Sequence, residues 1–120
     1  MSRFQIRQVP TGLKFDLKAT NGQVIATSEV YTTKASCLRG IESIQKNAAA
    51  PLEDQTAPCD KVRNPKFQLY KDKAGFFRFR LMSTNGRVIA VSEPYTTKAS
   101  CLGGIESVRR NAPQAEIEEK

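Results

Sequence analysis

The sequence predicts an α+β fold in which one β-β-β-α unit is used twice. It places both helices on one face of a mostly antiparallel sheet, related by a pseudo-twofold axis. Three observations carry this expectation. Residues 17–48 align on 81–112 without a gap, 23 of the 32 positions are identical, and the octapeptide Tyr-Thr-Thr-Lys-Ala-Ser-Cys-Leu occurs at both 31–38 and 95–102; identity that high marks a duplicated folding unit. Asn21-Gly22 and Asn85-Gly86 each sit between apolar runs, the strongest short-range signal for a β-hairpin. After Thr33 and Thr97 the apolar residues recur with a period of 3.6, as on one face of a helix.

In the first copy, residues 4–7 alternate apolar and polar side chains, as a half-buried strand does. A turn at Pro10, Thr11 and Gly12 leads to a second strand, with Phe15 and Leu17 inward and Lys14, Asp16 and Lys18 outward. Asn21-Gly22 closes the next hairpin with two residues that tolerate positive φ, and 23–28 forms the third strand, with Val24 or Ile25 toward the core. Thr33 is placed to cap the helix, because its hydroxyl can accept from first-turn N–H groups. At 100° per residue, Cys37, Leu38, Ile41, Ile44 and Ala48 share a face opposite Arg39, Glu42 and Lys46. Glu42 with Lys46, and Glu106 with Arg110, stand at i,i+4 in the favourable order. The second copy repeats the plan with strands at 67–70, 77–81 and 88–92, a turn at 72–75, a cap at Thr97, and a stop at Asn111, Ala112 and Pro113. Laying Phe4 on Phe67 and Leu17 on Leu81 leaves one extra residue after the first turn, which a loop or bulge absorbs.

The chain divides into repeat one (3–48), an irregular connector (49–66) carrying Pro51, Pro58 and Pro65, repeat two (67–112) and an acidic tail (113–120), all within a single domain, 1–120, with six strands expected in total. Each repeat is too short to bury a generous core alone, so the two are expected to share one and to act as a monomer that is its own pseudo-dimer. That core comprises Phe15, Leu17, Cys37, Ile41, Ile44, Phe79, Leu81, Cys101, Ile105 and Val108. Gly40 and Gly104 lie at the edge of the helical apolar face, where a missing side chain allows another backbone to approach.

The net charge of +7 is uneven: +4 in 1–48 and +8 in 61–112, against −3 in 49–60 and −2 in 113–120. A basic body points weakly to polyanions as partners. No apolar run approaches the roughly 18 to 20 residues that span a bilayer, and no export signal follows the start, so a cytoplasmic protein is expected. Three cysteines in such a chain fit a reducing compartment. Cys37 and Cys101 read as small core residues rather than a redox pair, and Cys59, in the connector, as the exposed thiol.

The strand-turn-strand at 70–81, the Thr-Asn-Gly-x-Val-Ile-Ala hairpin, and the segment Ser-Glu-x-Tyr-Thr-Thr-Lys-Ala followed by Gly-Ile-Glu-Ser and Asn-Ala resemble the YegP-like family of small bacterial proteins. The likeness covers both repeats. It implies a β3-α unit used twice, by duplication or by dimerisation of single-unit members. It implies no activity, cofactor or catalytic residue. In the first copy Gln-Val-Pro-Thr-Gly stands where the family pattern has the Lys-Asp-Lys-Ala-Gly type.

Two constellations remain as candidate sites. At the helix entrances, Tyr31, Thr33 and Lys34, with their twins Tyr95, Thr97 and Lys98, surround N–H groups that favour a phosphate or carboxylate; the plain alternative is a packed tyrosine, a capping threonine and a lysine neutralised by the adjacent glutamate. On the sheet face, Arg78 and Arg80, with Lys71 and Lys73, offer a grip on a nucleic-acid backbone, yet few outward aromatics accompany them and no RNP-type run is present. The chain has no histidine, no zinc-ligand spacing, no phosphate-binding glycine loop and no paired carboxylates, so neither a cofactor nor a metal is expected. The function expected is that of a non-enzymatic binding or interaction module whose partner, a protein or a nucleic acid, the sequence leaves open. The alternatives are RNA or DNA binding through the basic sheet face, and a sensor or enzyme for a small anion at the helix N-termini.

Overall fold

The computed structural model describes residues 2–58 and 61–119; Cys59 lies outside them. The first copy forms β1 (Arg3–Val9), β2 (Gly12–Lys18), β3 (Val24–Ser28) and α1 (Lys34–Asn47). The chain then makes a short strand, β4 (Leu52–Asp54), before the second copy: β5 (Lys66–Lys71), β6 (Phe77–Met82), β7 (Val88–Ser92) and α2 (Lys98–Asn111). A single 3-10 turn, Ala112–Gln114, leads into the last strand, β8 (Glu116–Glu119).

All strands join one eight-stranded sheet in the order β4-β5-β6-β7-β3-β2-β1-β8. Its centre is the antiparallel β3–β7 pair, in which Ala26 meets Ser92, Thr27 meets Val91 and Ser28 meets Ala90. Ala26 and Ala90 are equivalent positions of the two copies, as are Ser28 and Ser92, so the pseudo-twofold axis passes through the Thr27–Val91 pair. The expected α+β duplication is therefore present, with both helices on the same face. The ten expected core residues are all buried, within a cluster that also takes Phe4, Phe67 and Leu69 to complete burial. Full burial of aromatic and aliphatic side chains of this size is worth about 1.5–3 kcal/mol each.

The structure departs from the sequence reading at the connector and the tail. Two of the eight strands lie there, and both pair in parallel: β4 with β5, and β8 with β1. Each copy thus sends its chain over the core as a helix and adds a strand to the other copy. A three- or four-residue strand held by a distant neighbour leaves no alternation to read.

Two local details also differ. Only Gly22 and Gly86 take positive φ in the central hairpins, +85° and +82°, and no non-glycine residue does. The Gly22 N–H donates to Ala19 O at 2.9 Å, so the loop is a turn ended by glycine rather than a two-residue turn using Asn21 as well. Of the two residues expected to face the core from the third strand, Ile25 is the buried one, and Ala26 and Ser28 are buried beside it. On α2, Glu106 pairs with Arg109 at i,i+3, 2.6 Å, and not with Arg110. Thr33 and Thr97 cap as expected, each accepting from the backbone N–H three residues on at 3.1 Å.

Candidate functional site

At the helix entrances the threonines and lysines expected as anion ligands already have polar partners. Thr33 and Thr97 spend their hydroxyl oxygens on the caps. Lys34 pairs with Glu119 at 2.6 Å, and Lys98 with Asp54 at 2.5 Å. These carboxylates belong to β8 and β4, so each lysine is neutralised by the strand that the other copy contributes, and not by an adjacent glutamate. Tyr31 and Tyr95 stack on Phe15 and Phe79, with ring centroids 6.1 and 6.4 Å apart. Burial first, then the neighbouring Cys37 and Glu29, pushes the Tyr31 phenol above its ordinary range, and Arg87 pulls the other way.

The four basic candidates of the sheet do not share a face. Residues directly opposite in an antiparallel pair point the same way. Lys71 stands opposite Phe77, which packs against the core, whereas Arg78 stands opposite Tyr70. Lys71 lies instead 5.4 Å from the Phe77 ring centroid, and Lys73 is exposed in the β5–β6 turn. Arg78 and Arg80 emerge together on the open face, and both are engaged. Arg78 Nε donates to Asp72 at 2.9 Å. Arg80 Nε donates to Gln68 at 2.7 Å, and its guanidinium lies 4.4 Å from the Tyr70 ring centroid.

That open face carries a row through every strand: Glu53, Gln68, Arg80, Val91, Thr27, Asp16, Gln5 and Glu118. Its members bond sideways, Gln68 to Glu53 at 3.0 Å, Thr27 to Asp16 at 2.8 Å and Gln5 to Glu118 at 2.9 Å. No helix covers them, yet Gln5, Asp16, Glu53 and Gln68 are each less than a tenth exposed. Glu53 is the most heavily bonded. Its carboxylate accepts from Val62 N at 2.8 Å, Lys66 Nζ at 2.9 Å, Gln68 Nε2 at 3.0 Å and Gln55 Nε2 at 3.1 Å. Four donors on a buried carboxylate stabilise its charge. The Val62 N–H and the Lys66 ammonium lead in holding it at a pKa of about 2.

The helix-side surface has two grooves that sequence reasoning missed. One, of about 550 Å³, lies between α2 and the β2–β3 hairpin, with Tyr95 and Gly104 in its wall. The other, of about 490 Å³, lies between α1 and the β6–β7 hairpin, with Tyr31 and Gly40 in the same places. Each combines a helix from one copy with a hairpin from the other. Neither tyrosine hydroxyl has a hydrogen-bond partner among the described residues.

The helical glycines make these grooves, though the close approach is by a side chain rather than a backbone. A methyl group on Gly104 would run into the Tyr95 hydroxyl, with the ring carbon behind it at 2.8 Å and a Phe79 ring carbon at 2.9 Å. Around Gly103 there is open space. Neighbouring substitutions should therefore have opposite signs in urea denaturation. Gly104→Ala should destabilise by about 1–2 kcal/mol, overpacking outweighing helix propensity, and Gly103→Ala should stabilise by about 0.5–1 kcal/mol through propensity alone.

Cys37 and Cys101 are fully buried free thiols on separate helices, and burial pushes Cys101 up to about 11. Among the described residues no group of three or more His, Cys, Asp or Glu side chains is placed to hold a metal ion, and no helix is long and apolar enough to cross a membrane.

The chain matches the family model described as a domain of unknown function, DUF1508, over residues 12–54 and 72–119. Both matched segments end on an exchanged strand, β4 or β8, so the family's unit includes that strand. A UPF0339 protein of Pseudomonas aeruginosa is 33% identical over 120 residues, covering 99% of this chain and 97% of the relative. A UPF0339 protein of Treponema denticola is 63% identical over 54 residues, which cover 45% of this chain but 93% of the relative, so it consists of about one unit. The solution NMR structure of YegP from E. coli, a protein of unknown function, superposes with a TM-score of 0.82 at 29% identity, covering 99% of this chain and 92% of that one. Two matched units, full-length relatives and a shared architecture lead to one conclusion: the chain belongs to the YegP-like UPF0339 family, whose function is unknown.

Proposed function

We propose that the protein is a non-enzymatic binding module that takes small polar ligands in its two helix–hairpin grooves. One observation carries this reading: the Tyr31 and Tyr95 hydroxyls stand without partners in the walls of two equivalent grooves, each assembled from both copies. Concave sites with a few convergent polar groups are where small ligands are held. The open sheet face supports the reading less well, since Arg78 and Arg80 are already bonded within the molecule. A reducing, cytoplasmic setting fits the two buried free thiols.

Amide chemical shifts of the ¹⁵N-labelled chain test this against a panel of small polar molecules and a single-stranded oligonucleotide at low salt. Shifts are expected around Gly40 and Gly104. Shifts confined to Gln5, Asp16, Gln68 and Arg80, or produced by the oligonucleotide alone, would overturn the reading.

A further inference from the structure

We propose that the groove between α1 and the β6–β7 hairpin binds a small molecule bearing a carboxylate or phosphate, held by the guanidinium groups of Arg39 and Arg87 beside the Tyr31 hydroxyl. This rests on reading the grooves as ligand sites, and it assigns a chemistry to one of them.

The two grooves are twins by duplication, so their differences mark what one has acquired. The α1 groove has Arg39 on its helix wall and Arg87 on its hairpin wall. The equivalent positions of the other groove are Gly103 and Gln23. Two guanidinium groups therefore line one groove from elements of different copies, whereas the twin has one, Arg110, on its helix wall and none on its hairpin wall.

Both are available. Arg87 makes no side-chain hydrogen bond or ion pair among the described residues, and Arg39 makes only one, to Ser36 Oγ at 3.2 Å. Elsewhere Arg7, Lys34, Lys66, Arg78 and Lys98 each have a carboxylate partner. A guanidinium presents a planar fork of donors that matches the oxygens of a carboxylate or phosphate. The Tyr31 hydroxyl adds a donor beside them. Glu29 lines the same groove and repels a bare anion. It favours a ligand that offers an ammonium or hydroxyl on that side, and it keeps affinity for simple anions modest. The groove, about 490 Å³, is of a size for a metabolite rather than a polymer.

The test uses the full ¹⁵N-labelled chain at constant ionic strength, titrated separately with inorganic phosphate and with succinate. Saturable shifts are expected at the Gly40, Asn85 and Arg87 amides and not at Gly104, Asn21 or Gln23, and whichever anion binds more tightly identifies the group recognised. Arg87→Gln, which copies the twin groove at an exposed position, should weaken binding about tenfold, and Arg39→Gln should do the same. Equal shifts in both grooves, or shifts that neither variant changes, would overturn the assignment. If neither anion acts but glucose, as a neutral probe, shifts both grooves, the anion assignment falls and the groove reading stands. If no probe shifts either groove, both fall.

Discussion

Glu53→Gln is expected to destabilise the protein by about 3–5 kcal/mol at neutral pH, the usual result of removing one partner from a buried ion pair. Glu53 and Lys66 are each only about a twentieth exposed, and their charges meet at 2.9 Å. Glutamine keeps the shape but leaves the Lys66 ammonium buried without a counter-charge. It also offers an N–H₂ where Val62 N and Lys66 Nζ both donate. In a melting experiment the loss should appear as a drop of about 10–20 °C. The effect depends on pH in a stated direction. The carboxyl is held at about 2 in the folded protein, below its ordinary 4.5. Its contribution is therefore complete above about pH 4.5 and disappears as pH falls from there toward 2. The gap between Glu53→Gln and the parent should be wide at pH 7 and narrower at pH 3. A gap that stays constant across that range would show that the charge of Glu53 contributes nothing. Glu118 supplies the control. It occupies the equivalent place on β8, is about half exposed, and lies 3.6 Å from Arg3, so Glu118→Gln should cost less than about 1 kcal/mol.

The contrast between Glu53 and Glu118 shows where the sequence was informative and where it was silent. Strand alternation at 4–7, 15–18, 67–70 and 77–81 is a local property, and it placed Phe15, Leu17, Phe79 and Leu81 in the core. Helix periodicity did the same for Cys37, Ile41, Cys101 and Ile105, and the caps at Thr33 and Thr97 are local too. The exchanged strands depend on pairing between segments far apart in the chain. Nothing near Leu52, Glu53 and Asp54 announces that Gln68 and Lys66 await them. One signal was available: Leu52-Glu53-Asp54 and Ile117-Glu118-Glu119 share an apolar-acid-acid order, which extends the repeat into the connector and the tail. That order also names the partners of Lys98 and Lys34, the third residue of each triplet. Of the candidate sites, Arg78 and Arg80 lie on the open face, as alternation places them. Lys71 does not, because the pairing register sets it opposite Phe77. The grooves were illegible for the same reason as the strands, since each needs a helix and a hairpin from different copies.

Residues 2–58 expressed alone are expected to dimerise and to have no folded monomer. In the full chain, β3 is covered by β7 and β1 by β8, and β4 is bound to β5. A lone first copy keeps none of these pairings. Its β3 edge would be unpaired, one side of Phe4 uncovered, and β4 left without a neighbour. Two copies of the fragment can restore all three. The β3–β3′ pairing would centre on Thr27, where the full chain has Thr27 and Val91. Each β4 would add to the partner's β1, bringing Glu53 to Gln5 and Arg3, the equivalents of Gln68 and Lys66. The same expectation extends to a chain of about one unit, the length of the Treponema denticola relative that is 63% identical over 54 residues. Sedimentation should give twice the fragment mass at tens of micromolar, with a melting temperature that rises with concentration, as folding linked to association requires. A fragment that stays monomeric and melts cooperatively would show that one copy closes its own core, and the exchange of β4 and β8 would then follow from tandem linkage and contribute little to folding.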